Sequence, residues 1–205
     1  MSKLAAAEKI YFADREALRT WFLKNHAKVE SFWLVYDKVK EGKRHLTYDD
    51  IVEESLCFGF IDSQPRKVSD TQASCYISRR KPKSEWSKRN KEKTAELIRT
   101  KLMHASGFAA IARAKENGSW SKIDGSENHE MPEDFAKILH KQKNLRQHFE
   151  SLAPSMRKAF LHRLQSARTP ETRQKRLDFL VQLLKVKIRP SEYRAAFTKG
   201  VVPKR

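Results

Sequence analysis

The sequence predicts an α+β fold, predominantly helical, in which a small antiparallel or mixed sheet is covered by helices and followed by a C-terminal helical bundle. Three observations lead there. Residues 31–36 and 72–79 have the length and composition of strands, apolar residues elsewhere recur at three- and four-residue steps, and residues 119–130 are rich in Gly, Ser, Asn and Asp. That last stretch separates a mixed half from a wholly helical one.

Taken in order, Ala17, Leu18, Trp21 and Phe22 form a helical stripe within residues 13–25, with Asp14 near the positive helix end. Residues 31–36, Ser-Phe-Trp-Leu-Val-Tyr, are a continuous apolar run too short for a buried helix, stopped by the turn Lys40-Glu41-Gly42-Lys43. Thr47 is a good N-cap and Asp49 and Asp50 suit a first turn. The helix it opens, over 48–58, places Ile51, Val52, Ser55 and Leu56 on one face and ends at Gly59. Residues 60–62 read as a short strand leading into a polar connection. Gln72 to Arg79 then alternates Ala73, Cys75 and Ile77 against polar neighbours, the period of a half-buried strand.

After Pro82, Ser84 is the expected cap of a long helix reaching about residue 103, which buries Trp86, Leu97, Ile98 and Leu102. A further helix over 104–116 turns Phe108, Ile111 and Ala112 inward and closes at Asn117-Gly118. Beyond Pro132, stripes at Phe135, Ile138 and Leu139, at Leu145, Phe149 and Leu152, and at Met156, Ala159, Phe160 and Leu164 mark three helices. Thr169-Pro170-Glu171 is a cap, a first-turn proline and a first-turn acid, opening a fourth helix with Leu177, Leu180, Val181 and Leu184 inward. The resulting division is an α+β domain over 1–118, a linker over 119–130, a helical bundle over 131–189 and a frayed basic tail over 190–205, with one amphipathic turn at 193–197.

The 205 residues carry a net charge of +18, with 39% hydrophobic side chains, enough to fold. The charge is concentrated. Residues 64–102 hold 12 basic and 4 acidic side chains and residues 131–205 hold 18 and 6, whereas the remaining segments are near neutral. Such blocks attract polyanions, so an anionic ligand or acidic surface is the expected partner. No run reaches the roughly 18 apolar residues of a spanning helix. The start, MSKLAAAEKIYFADRE, has charges where an export signal has its apolar stretch, which reads as cytoplasmic.

Recognised catalytic patterns are missing. There is no GxSxG elbow, no GxxxxGK[ST] phosphate loop, no GxGxxG and no HExxH, and Cys57 and Cys75 have no CxxC spacing. The reading therefore assigns no catalytic residue, no metal and no cofactor. The most chemically loaded segment is 78–90, with cations at a strand end beside a hydroxyl-capped helix start. Here Arg79, Arg80, Lys83, Ser84, Trp86, Ser87 and Asn90, with Asp62 orienting an arginine, are the expected anion-binding residues. The competing reading is an interior ion pair and a capped helix with Trp86 in the core. In the bundle, two helices joined by a tight link have helix-turn-helix spacing. Arg168, Arg173, Lys175 and Arg176 are the alternative, nucleic-acid-binding set.

Four stretches resemble the bacteriocin-protection family, also called YdeI or OmpD-associated. They are Leu46-Thr-Tyr-Asp-Asp-Ile-Val-Glu-Glu54, Leu56-Cys-Phe-Gly-Phe-Ile-Asp62, the segment from Ser78-Arg-Arg to Trp86-Ser-Lys-Arg-Asn90, and Ala167-Arg-Thr-Pro-Glu-Thr-Arg-Gln-Lys-Arg176. Phe60 and Ser63 stand where the family usually has Trp and Gly. The resemblance implies resistance to cationic antimicrobial peptides and association with an envelope protein, and it brings no established catalytic residues. A chain of +18 repels a cationic peptide, so the expectation is a non-catalytic binding protein in envelope or antimicrobial-peptide stress, acting on an anionic ligand. The rivals are a nucleic-acid-binding protein and an enzyme built around Asp62, Arg79, Arg80, Trp86 and Asn90.

Overall fold

A computed structural model describes residues 7–38, 45–186 and 190–203. The chain divides into two compact units, residues 1–121 and 122–205. The first holds β1 (Lys9–Tyr11), α1 (Arg15–Asn25), β2 (Ser31–Asp37), α2 (Tyr48–Cys57), β3 (Phe60–Lys67), β4 (Gln72–Arg79), α3 (Lys88–Arg99) and α4 (Ala105–Glu116). Among its described residues the second holds α5 (Asp124–Glu127), α6 (Glu133–Lys141), α7 (Lys143–Ser151), α8 (Pro154–Gln165), α9 (Pro170–Val186) and α10 (Pro190–Lys199). The fold is thus α+β, with a four-stranded sheet in the first half and, among the described residues, helices without strands in the second.

Local chemistry explains the early elements. Asp14 caps α1 by accepting from the Ala17 N–H at 2.9 Å, and Leu18 and Phe22 are its buried face. At α2, Thr47 Oγ1 accepts from the Asp50 N–H at 3.1 Å while Asp50 Oδ2 accepts from the Thr47 N–H at 3.0 Å, a reciprocal capping box. The chain leaves α2 through Gly59, whose φ of +79° is open to glycine at little cost. The turn expected at 40–43 lies outside the described residues.

The strands run in the order β1-β2-β4-β3, with β1 parallel to β2 and the other pairs antiparallel, so the sheet is mixed. Pattern reading finds no strand at β1, whose three residues pair with β2 while Ile10 packs against the core. Strand β3 extends five residues past the expected end at Asp62. Its polar second half lies at the sheet edge, where Pro65 sits within a register irregularity between Ser63 and Arg66 and its missing N–H takes nothing from a ladder. One sheet face supplies Phe32, Leu34, Phe60, Cys75 and Ile77 to the core, where they meet Leu18, Phe22, Ile51, Leu56 and Ile111 of the helices.

Three helix expectations change. Ser84 does not cap α3; Ser87 does, accepting from the Asn90 N–H at 3.2 Å, and the preceding residues form a loop that carries Trp86 inward. The same helix stops at Arg99, leaving Ile98 exposed. Its end is a Schellman closure in which the Leu102 N–H donates to Leu97 O at 3.0 Å and the Lys101 N–H to Ile98 O at 3.1 Å, with Lys101 at φ +59°. In α4 the buried face is Gly107, Ala110, Ile111 and Ala114, whereas Phe108 points out. Gly107 sets this rotation, because it lets α4 pass directly over the end of α2.

The second unit packs Phe135, Leu139, Leu145, Phe149, Phe160, Leu164, Leu177, Leu180 and Leu184 into its own core. Residues 190–203 do not fray as expected. Pro190 begins α10, and Tyr193 and Ala196 are buried, with Phe197 5.3 Å from the Phe160 ring. The amphipathic turn expected at 193–197 is part of this helix. Helix α5 occupies the middle of the stretch read as a linker.

Candidate functional site

The turn from β4 into α3 places the expected site residues in two groups with different fates. Arg79, at the strand end, is consumed by the fold. Its Nε donates to Glu30 Oε1 at 3.1 Å, and its Nη2 donates to the carbonyls of Val29, at 3.0 Å, and His26. Those carbonyls follow the end of α1, where a cation is electrostatically favoured, so Arg79 fastens α1 to the sheet. Asp62 lies on the helix-covered face, in register with Ile77, and accepts from the Tyr48 hydroxyl. Burial and this bond together push the Tyr48 phenol up. Asp62 favours the charge on Arg80 through space.

The second group surrounds Arg80. Its guanidinium is 4% exposed and its carbon lies 3.7 Å from the centroid of the Trp86 ring. Nη1 donates to Glu85 O at 3.1 Å, whereas Nε and Nη2 are buried without a hydrogen-bond partner among the described residues. Burial lowers its pKa to about 10, against the pull of Asp62. A buried cation with two unused donors is costly, and such groups normally have a partner.

After Arg80, the loop 81–87, which meets the guanidinium through Glu85 O and Trp86, delivers the chain to the start of α3. Lys81, Lys83 and Lys88 are exposed there. The first turn of α3 contains no acid, although the exposed N–H groups of a helix start favour negative charge. Ser84 lies in the loop with its amide donating to Lys81 O at 3.0 Å. Ser87 and Asn90 meet in the cap described above. Trp120, unremarked in the sequence, adds a second indole, 4.9 Å from Trp86, with the Lys91 and Lys115 ammonium groups 5.3 and 5.4 Å from its ring centroid. Its signal was a lone Trp directly after the Asn117-Gly118 helix stop, hidden by a composition that reads as linker.

Elsewhere the positive charge is partly cancelled. Arg89 pairs with Asp49 at 2.6 Å, Lys93 with Glu53 at 2.7 Å and Arg99 with Glu96 at 2.5 Å. Arg15 and Arg19 converge on the fully buried Glu54 at 2.8 and 2.9 Å, a cross-helix network with no sequence-local sign. In the second unit, Arg173 forks onto Asp134 at 2.6 and 2.8 Å and Arg176 donates to Arg163 O and Ser166 Oγ. These two were expected on an outward reading face. They turn inward because the end of α8 offers carbonyls to the start of α9, leaving Arg168 and Lys175 exposed. Among the described residues no group of three or more His, Cys, Asp or Glu is placed to hold a metal ion, and no helix is long and apolar enough to cross a membrane.

Two family models match the chain. Residues 128–186 match the family described as Bacteriocin-protection, YdeI or OmpD-Associated, and residues 10–110 match a domain of unknown function, DUF8412. The stretch 167–176 falls in the former, and those at 46–62 and 78–90 in the latter. No curated protein and no solved structure matches.

Proposed function

We propose, on the premise that residues 128–186 form a domain of the bacteriocin-protection, YdeI or OmpD-associated family, that this chain is a non-catalytic binding protein of envelope or antimicrobial-peptide stress. Its first unit takes an anionic, phosphate-like group at the start of α3. The observation that carries this reading is the buried Arg80 guanidinium, whose Nε and Nη2 have no hydrogen-bond partner among the described residues, a few residues ahead of a helix whose first turn holds Lys88, Arg89 and Lys91 and no acid. A tetrahedral oxyanion satisfies both at once, accepting from the guanidinium edge and from the first-turn N–H groups. Lys81, Lys83 and Lys88 then screen it from solvent. At +18 the chain does not sequester cationic peptides, so protection works through an acidic target that such peptides also seek.

Thermal unfolding of the full chain with and without inorganic phosphate tests the reading. Phosphate at 100 times its Kd adds about 2.7 kcal/mol, and Arg80→Lys removes most of the gain because a point charge cannot replace the fork. A midpoint indifferent to phosphate up to millimolar concentration overturns it, as does an equal gain in Arg80→Lys.

A further inference from the structure

The second unit leaves a hollow that its own core does not fill. Where α6 and α7 meet, a groove of about 530 Å³ is lined by Met131, Ala136, Leu139 and Phe149 together with charged residues. Leu139 and Phe149 belong to the core and only close the floor. Met131 differs, being 38% exposed and part of neither hydrophobic core, so apolar surface here still faces water. At His140, Arg146 and Glu150 the groove adjoins a second hollow of about 380 Å³, which adds Lys143 and Gln147 to the wall. The two carboxylates on these walls are paired within their own helices, Glu133 with Lys137 at 2.6 Å and Glu150 with Arg146 at 2.8 Å. Lys141 and Lys143 are exposed and have no carboxylate partner among the described residues.

We infer that this groove binds a single-chain amphiphilic anion, a medium-chain fatty carboxylate, with its tail over Met131 and Ala136 and its head at Lys141 and Lys143. Small-molecule sites have this volume, a mostly apolar lining and a few polar groups that fix orientation. Polarity changes along the groove. Met131 precedes α6 at one end, while Lys141 closes that helix and Lys143 opens α7 at the other, about 12 Å away along α6. Only an amphiphile uses both ends. An inorganic anion leaves Met131 in water, an uncharged tail leaves the two lysines without a counterion, and a cationic amphiphile meets like charge. A second copy of the chain brings a net +18 against the same basic rim.

The test is isothermal titration calorimetry of the full chain in low salt with octanoate, decanoate and dodecanoate, each kept below micelle formation. Saturable binding is expected, tightening by about twofold or more per added methylene in a groove open on one side. Dodecanol is expected to bind more weakly than dodecanoate, and dodecyltrimethylammonium more weakly still. Met131→Ser, and separately the double change Lys141→Glu with Lys143→Glu, all at exposed positions, are expected to weaken dodecanoate binding by about fivefold at an unchanged urea midpoint. Arg80→Lys leaves dodecanoate binding in place, so failure here and failure at the start of α3 are distinguishable. Absence of saturable binding overturns the inference, as does equal affinity for the three head groups or indifference to both variants. Self-association in sedimentation velocity that Met131→Ser abolishes also overturns it, and reassigns the groove to a second copy of the chain.

Discussion

Arg80 lies over Trp86, its guanidinium carbon 3.7 Å from the ring centroid and both side chains almost wholly buried. Stacking stabilises the cation from one side only. Among the described residues Nε and Nη2 have no acceptor. A buried cation in that arrangement is costly.

That cost is measurable. Arg80→Met keeps the length and the contact with Trp86 while removing the charge. Without phosphate, the variant is expected to match the parent in urea unfolding within about 1 kcal/mol or exceed it, as replaced buried charges often do. A loss above about 2 kcal/mol means that the guanidinium is a structural tie.

At Gly107 the steric demand outweighs helix propensity. A Cβ there overlaps the Cys57 carbonyl oxygen and the Met103 sulfur. Gly107→Ala should destabilise the chain by about 1–3 kcal/mol, although an exposed helical Gly→Ala gains about 1 kcal/mol. Chemical denaturation reads the sign directly.

Lys101 holds the left-handed position of the α3 closure at φ +59°. Lys101→Gly relieves that conformation, so an increase of about 0.5–1 kcal/mol is expected. No gain in the urea midpoint contradicts the account of how α3 ends.

The Asp134–Arg173 fork makes the second unit sensitive to acid. Hydrogen bonding from Arg173 holds the Asp134 carboxyl below its usual 3.8, against a smaller effect of burial. A carboxylate with a depressed folded pKa contributes stability above its unfolded value, and that contribution fades as pH falls through the folded one. The stability difference between the parent and Asp134→Asn is therefore expected to be full at pH 6 and to shrink from about pH 4 downward. A difference that does not change with pH removes the ion pair from the explanation.

What the sequence discloses is what short-range chemistry controls. Asp14 and Thr47 announce their helices because cap and acceptor lie three residues apart, and residues 31–36 and 72–79 carry their period within themselves. Strand β1 depends on a parallel neighbour 24 residues away, so no local pattern marks it. The start of α3 offered two serines, and only the burial of Trp86 decides for Ser87. Its end lacked the usual glycine.

The candidate site follows the same division. A basic, hydroxyl-capped helix start near Arg80, Lys83 and Asn90 was legible, but the cap was expected at Ser84 and lies at Ser87. Arg79 was not separable from Arg80, because its acceptors are carbonyls some 50 residues away in sequence. Arg173 and Arg176 looked outward because their acceptors lie on other helices, Asp134 at the start of α6 and the carbonyls at the end of α8, and Trp120 meets Trp86 across the turn after α4.

The outermost strand β3 carries Pro65, a register irregularity and the cations Arg66 and Lys67 within four consecutive positions. A neighbouring molecule that tried to lengthen the sheet there would find a missing donor, a bend and repelling like charge. That border is sealed against amyloid-like stacking, which leaves concentrated protein protected on one flank without any covering helix.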